Sequence, residues 1–281
     1  MDNTEIRSTH RSLEPYHAMI YFVPEAPAAY AELGIHGRMG YFASRSAAMG
    51  PVSADVVIST FFNFNPDLVR AAIPEAWRRA SPQDLIEARL SAADAALRRV
   101  LGDAVDSPEM AEAAELATTA AGGCYLEGHP LYAAHAALDW PTQPHLVLWW
   151  AQTLLREFRG DGHIAAMATQ GLSGIEALVI HQATNVPPPG TLQSTRAWSD
   201  EAWAAGVASV KVRGWLTDVG ALTADGLAAR QWVEDRTDEL TVDCWALLGK
   251  DGCARLCELA RPFVKAVLPE LPGGGSLLKP H

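Results

Sequence analysis

Cysteine is scarce in this chain, and the little there is carries no metal-binding pattern. Cys124, Cys244, Cys253 and Cys257 form no paired CxxC, which excludes a zinc ribbon. Cys253 and Cys257 are four apart and read as small core residues on one helix face. No apolar run approaches the roughly 20 residues that span a bilayer. No β-branched alternating stretch is long enough for an extended sheet. Neither a GxGxxG loop nor a Walker loop occurs, and the GGG at 273–275 has no strand before it or helix after it. HEXXH is missing, and Ser44, Ser53, Ser173 and Ser199 sit in no nucleophile elbow. Positive charge is also short: 22 Lys and Arg against 33 Asp and Glu, a net charge of −11. That balance makes nucleic acid an unlikely main partner, though not an excluded one, and argues against an anionic membrane surface. The polar start MDNTEIRSTHRSLEPYH offers no signal core. The expectation is a cytoplasmic protein with reduced thiols.

What is abundant is helix signal and apolar content, the latter 49% of residues. SPQDLIEARLSAADAALRRVLG (81–102) opens on an N-cap serine, a proline and an acid, and closes with arginines and a glycine. SPEMAEAAELATTA (107–120) repeats the Ser-Pro-acid opening. WSDEAWAAGVASVKVRG (198–214) and TADGLAARQWVEDRTDEL (223–240) follow the same logic. Between the last two, RGWLTDVGALTADG (213–226) reads as a hairpin, with Trp215-Leu216 facing Ala221-Leu222-Thr223 across a polar turn. Helix, hairpin, helix is the order of a recognition helix and its wing. Helices over 144–158, 163–170 and 173–184 would precede it.

The unit reads as occurring twice, the other reading being coincidence in an Ala-rich sequence. GPVSADVVISTFFNFN (50–65) parallels GLSGIEALVIHQATN (171–185) at an offset of about 120, and Ala76-Trp77 parallels Ala197-Trp198. The expected architecture is therefore mainly α: two tandem winged-helix-like modules with one or two short hairpin wings. They span 1–125 and 126–268, with a Gly/Pro-rich tail over 269–281 that Leu277 and Leu278 could strap down. A cleft between such modules suits a ligand.

LEPYHAMIYF and PEA (13–26), GYFASRSAAMGPV (40–52), TFFNFNP (60–66), LLREFRGDGH (154–163) and GWL…ALTADG (214–226) together give the chain a family likeness. It resembles, over nearly its whole length, an actinobacterial family described as helix-turn-helix proteins. The resemblance implies tandem winged-helix architecture and assigns no chemistry. The would-be recognition helix departs from a DNA reader: Asp200 and Glu201 stand where Arg, Asn or Gln would read bases.

LLREFRGDGH lies between two apolar runs, so its charges are expected to be buried and paired. Arg156 and Arg159 share a helix face. Gly160 and Gly162 are expected to end that helix, leaving Asp161 to cap the next, with His163 in its first turn. One reading is an ion-pair lock between modules. Another is a pocket wall, with Arg156 and Arg159 clamping an anion and Asp161–His163 as an acid/base pair. Glu157, Glu14, His17, Arg38, Arg45, Glu176, His181 and Trp149 complete the candidate ligand-binding set. EPYH (14–17) has the Glu-x-x-His spacing of helical metal sites, but only once. A metal or haem held by His17, His163 and His181 is the minor reading beside satisfied core histidines. Trp149 and Trp150 point about 100° apart on a helix, as at an interface packed on two sides.

Three functions follow in order. The first is a small-molecule-binding protein, sensing or sequestering an organic ligand of secondary-metabolite type, as a monomer or homodimer. The second is an enzyme using His163 and Asp161 in the same cleft. The third is a winged-helix DNA-binding regulator.

Overall fold

A computed structural model describes residues 2–274, and every expected helix start that carries a Ser-Pro or Ser-acid signal is realised in it. In chain order, α1 spans Asn3–Ala18, α2 Glu25–Glu32, α3 Arg38–Ser46, α4 Ala54–Phe61, α5 Pro66–Ala72, α6 Glu75–Arg79 and α7 Pro82–Leu101. Then come α8 Pro108–Ala121, α9 Pro130–Ala136, α10 Pro144–Thr169, α11 Gly174–Gln182, α12 Thr191–Thr195, α13 Asp200–Val212, α14 Ala224–Glu239 and α15 Val242–Val267. α15 is broken at Gly249, where φ is 73°. Ser81 and Asp84 close a capping box on α7, and Ser173 and Glu176 close one on α11. Ser199 caps α13 and Thr223 caps α14. The strap expected of Leu277 and Leu278 lies outside the described residues.

α10 organises the molecule. It packs against α1, α7, α8, α9 and α14, so it has no solvated face over its first half. Trp149 and Trp150 are both buried there despite pointing apart, as an interface packed on two sides requires. The main core draws on residues from Ile6 to Phe158 and from Cys244 to Leu271. Two smaller apolar clusters hold the segment between: Val179, Ile180, Val210 and Leu216 in one, Ala166, Met167 and Val233 in the other. The large core thus runs across the boundary expected at 125/126. The more distinct unit is a small lobe made of the end of α10 and α11 to α14. Trp198 Nε1 donates to the Asn63 carbonyl at 2.9 Å, and Asn65 Nδ2 to that of Ala197 at 2.8 Å, tying lobe to body.

Three expectations need correction. Helices 144–158 and 163–170 are one helix. Gly160 and Gly162 each weaken a helix by about 1 kcal/mol relative to alanine, but Glu157, Phe158 and Asp161 are buried beside them and hold the backbone in register. The 213–226 segment does not form a two-stranded wing. It closes by a single antiparallel bridge, Leu216 to Leu222, between the two segments expected to pair. Gly226 is required there: a Cβ would lie 2.3 Å from the Trp215 carbonyl oxygen. At the corresponding place in the first half, Gly102–Asp106 is a 3-10 helix, not a hairpin. No strand occurs among the described residues, and none of their helices is by itself long and apolar enough to cross a membrane.

Candidate functional site: a guanidinium-lined cleft

The LLREFRGDGH charges leave α10 in four directions and each meets a different helix. Arg156 Nε donates to Glu14 of α1 at 2.9 Å. Glu157, only 3% exposed, takes both oxygens to Arg45 Nη2 of α3 at 2.8 and 3.1 Å and accepts from Arg156 at 3.0 Å. Burial alone would raise its carboxyl, but Arg45 and Arg156 outweigh that and hold it at about 2. Arg159 reaches Asp238 of α14 at 2.7 Å. Asp161 accepts the backbone N–H groups of Leu131 and Tyr132, both at 2.9 Å.

Asp161 is therefore a cap, but for α9 rather than for a following helix. α9 has no side-chain cap of its own, and Asp161 supplies the acceptor from 30 residues away. Burial, partly offset by these N–H groups, raises its carboxyl to about 6. The ionised form is thus disfavoured in the fold, and stability falls as pH rises from about 4 to 6. One oxygen, Oδ2, takes both bonds, so an amide oxygen can replace it. Asp161→Asn is expected to be neutral or stabilising at pH 7. Asp161→Ala should cost about 1–2 kcal/mol, measured by urea denaturation.

His163 and Asp161 do not form an acid/base pair. Two residues apart on one helix, they face different ways: His163 Nδ1 lies 2.8 Å from Thr237 Oγ1 while Asp161 points at α9. The metal reading gains no geometry either. Among the described residues no group of three His, Cys, Asp or Glu side chains could hold a metal ion. His17 stacks on Trp149 at 5.3 Å, with Nε2 3.5 Å from Arg89 Nη2.

Between α1, α10, α14 and the end of α11 lies a cleft of about 620 Å³. Of the expected site residues, Glu14, Arg45, Arg156, Glu157, Arg159, His163 and His181 line it. His17 and Trp149 are core. Arg38 is exposed at the start of α3. Glu176 belongs to the α11 capping box and accepts from Ser209 at 2.6 Å and Arg213 at 3.1 Å, which clamps α13 onto α11. Burial works against ionisation of Glu176, yet these donors hold it at about 2.

Arg7, His10, Arg11, Arg230 and Glu234 complete the charged wall and were missed in the sequence. A signal existed: Arg7, His10, Arg11 and Glu14 follow i, i+3, i+4, i+7 spacing on α1. Six guanidiniums and three carboxylates line the cleft. Asp235 and Asp238, paired to Arg7 and Arg159 from behind, bring the carboxylates to five. Glu234 is shared by Arg230 at 3.5, Arg159 at 3.9 and Arg7 at 4.0 Å. Arg11 makes no ion pair among the described residues. Deeper in, Arg89 is buried among Ser44, His17, Tyr21, Tyr30 and the face of Trp149, and it makes no ion pair among the described residues. The Tyr21 hydroxyl accepts from Arg89 at 3.3 Å and Arg156 at 3.4 Å. The three cleft histidines are pushed toward the neutral form: His10 by burial and then Arg159, His163 by burial, and His181 by burial and then Arg230, to about 4.

A second cavity, about 160 Å³, opens inside the small lobe behind His163 and His181. It is lined largely by apolar groups of α10, α11 and α14 and by Trp215.

An all-helical chain in which α11 packs on α13, followed by a bridged turn and a further helix, has the order of a helix-turn-helix protein. The chain belongs to a helix-turn-helix family, which it matches over residues 6–272. No curated protein and no solved structure matches it.

Proposed function

We propose that this helix-turn-helix protein binds a small organic anion in the cleft between α1, α10 and α14. The observation that carries this reading is the cleft's charge: guanidiniums outnumber carboxylates in a chain whose net charge is −11. Arg11 stands at the exposed rim without an ion pair among the described residues, Arg7, Arg159 and Arg230 share Glu234, and an anion entering there gains charge-assisted, often bidentate hydrogen bonds. Sensing or sequestration fits better than catalysis, because the expected acid/base pair is not assembled. The α3–α8 run reads as a diverged copy of the α10–α14 run: Ser53 and Ser173 cap α4 and α11, and Ser81 and Ser199 cap α7 and α13. In this reading the first copy has become scaffold, with α7 packed on α2, α3, α10 and α15.

A DNA-binding regulator acting through α13 is the second reading, favoured by family membership and by the α11–α13 pair. The surface of α13 argues against it. Its exposed positions are Asp200, Glu201, Ala204, Ala205, Ala208, Ser209 and Val212. Lys211 Nζ donates to the Asp218 carbonyl at 2.8 Å, and Arg213 is spent on Glu176 and on the carbonyls of Gln170 and Gly171. That leaves few donors for phosphate.

A thermal-shift screen of organic acids against their uncharged amides tests the two. Acids should raise the melting temperature, by linkage worth about 2.7 kcal/mol at a hundredfold excess over Kd. Amides should not, and Arg230→Glu should abolish the effect. Stabilisation by duplex DNA with no response to any acid supports the second reading instead.

A further inference from the structure

We infer that cleft and chamber together take one ligand: an organic acid carrying a compact, ring-sized apolar group, its carboxylate among the arginines and its ring inside the small lobe. This rests on the cleft being an anion site and deepens that reading. Two cavities of opposite character meet at the same four side chains, His163, His181, Arg230 and Glu234, each of which lines both. Arg230 is the cation at that junction, and its one ion pair among the described residues is to the shared Glu234 at 3.5 Å, so it can turn toward an incoming carboxylate. The two imidazoles there are kept neutral by burial, so they can hydrogen-bond at the neck without adding charge. Beyond it, Met167, Leu178, Ile180, Trp215 and Val233 line a partly open space of about 160 Å³. An apolar cavity of about 150 Å³ holds one benzene-sized molecule. A phosphodiester or a free inorganic anion would leave this chamber unfilled. An apolar hydrocarbon alone would leave the arginines unmatched. Burying one ring should tighten binding roughly 30- to 100-fold over the bare anion.

The probes are acetate, benzoate, 3-phenylpropionate and 3-phenylpropionamide, titrated calorimetrically into the full chain at low salt. One of the two aryl acids is expected to bind at least about tenfold more tightly than acetate, and the amide at least about tenfold more weakly than its acid. Val233→Trp, which fills the chamber, should reduce the aryl acids to the level of acetate. Ala229→Leu, a smaller intrusion from the same helix, should move them the same way, and circular dichroism checks that both variants are folded. The Met167 methyl resonance should shift with the aryl acid and not with acetate. If all acids bind alike, neither variant matters and Met167 is silent, the chamber assignment is overturned and the cleft reading stands. If no acid binds folded wild-type protein, both are overturned.

Discussion

Glu157→Ala is expected to destabilise the protein by about 3–5 kcal/mol, the usual consequence of removing one partner from a buried ion pair. The carboxylate sits between Arg45 and Arg156, and without it two guanidiniums face each other in a site nearly closed to water. Glu157→Gln keeps the shape and one acceptor and should recover only part of the loss. The same residue fixes an acid limb. Its carboxyl lies at about 2 in the fold against an ordinary 4.5. The folded state therefore favours the ionised form, and this stability is complete above about pH 4.5 and is lost as pH falls toward 2. The linkage is worth about 3 kcal/mol. Urea denaturation between these pH values should show the loss in wild type and a flatter profile in Glu157→Ala.

Asp238→Ala is expected to move stability and anion affinity in opposite directions. Asp238 is fully buried and receives Arg7 and Arg159 from two different helices. Its removal should cost about 3 kcal/mol in the absence of anions. It also frees the two guanidiniums that form one wall of the cleft, leaving them Glu234 at 3.9 to 4.0 Å and, for Arg7, Asp235 at 3.4 Å. Organic acids should then bind roughly tenfold more tightly, equivalent to about 1.4 kcal/mol, and sulfate should restore more stability to the variant than to wild type. Calorimetry and denaturation on one preparation read both effects. A parallel fall in affinity would mean that Asp238 shapes the cleft rather than restraining its charge.

Local signals made much of the helical layout legible. Ser81-Pro82 and Ser199-Asp200 start helices because capping is settled within one turn. α10 was misread where local and tertiary preferences conflict: two glycines argued for a break, and the buried neighbours of α10 override them. That 215–216 meets 221–223 was readable, but not the shortness of the pairing, because a bridge needs neighbours to grow into a sheet. Five of the sixteen residues that line the cleft came from one charged cluster flanked by apolar runs. Arg7, His10, Arg11, Arg230 and Glu234 stayed hidden because charges at helical spacing on α1 and α14 look like a solvated face. Only contacts such as Arg7 to Asp238, 231 residues apart, turn those faces inward. Asp161 shows the same limit: its role as a cap was foreseen, but its helix was not.

The most direct measurement is a paired titration of one preparation, with a panel of organic acids and with short duplex DNA, between about 50 and 200 mM salt. An anion site in the cleft is expected to give saturable one-to-one binding of acids that Arg230→Glu abolishes, and no retention of DNA. Duplex binding that weakens steeply with salt, with no acid bound by wild type, would contradict it.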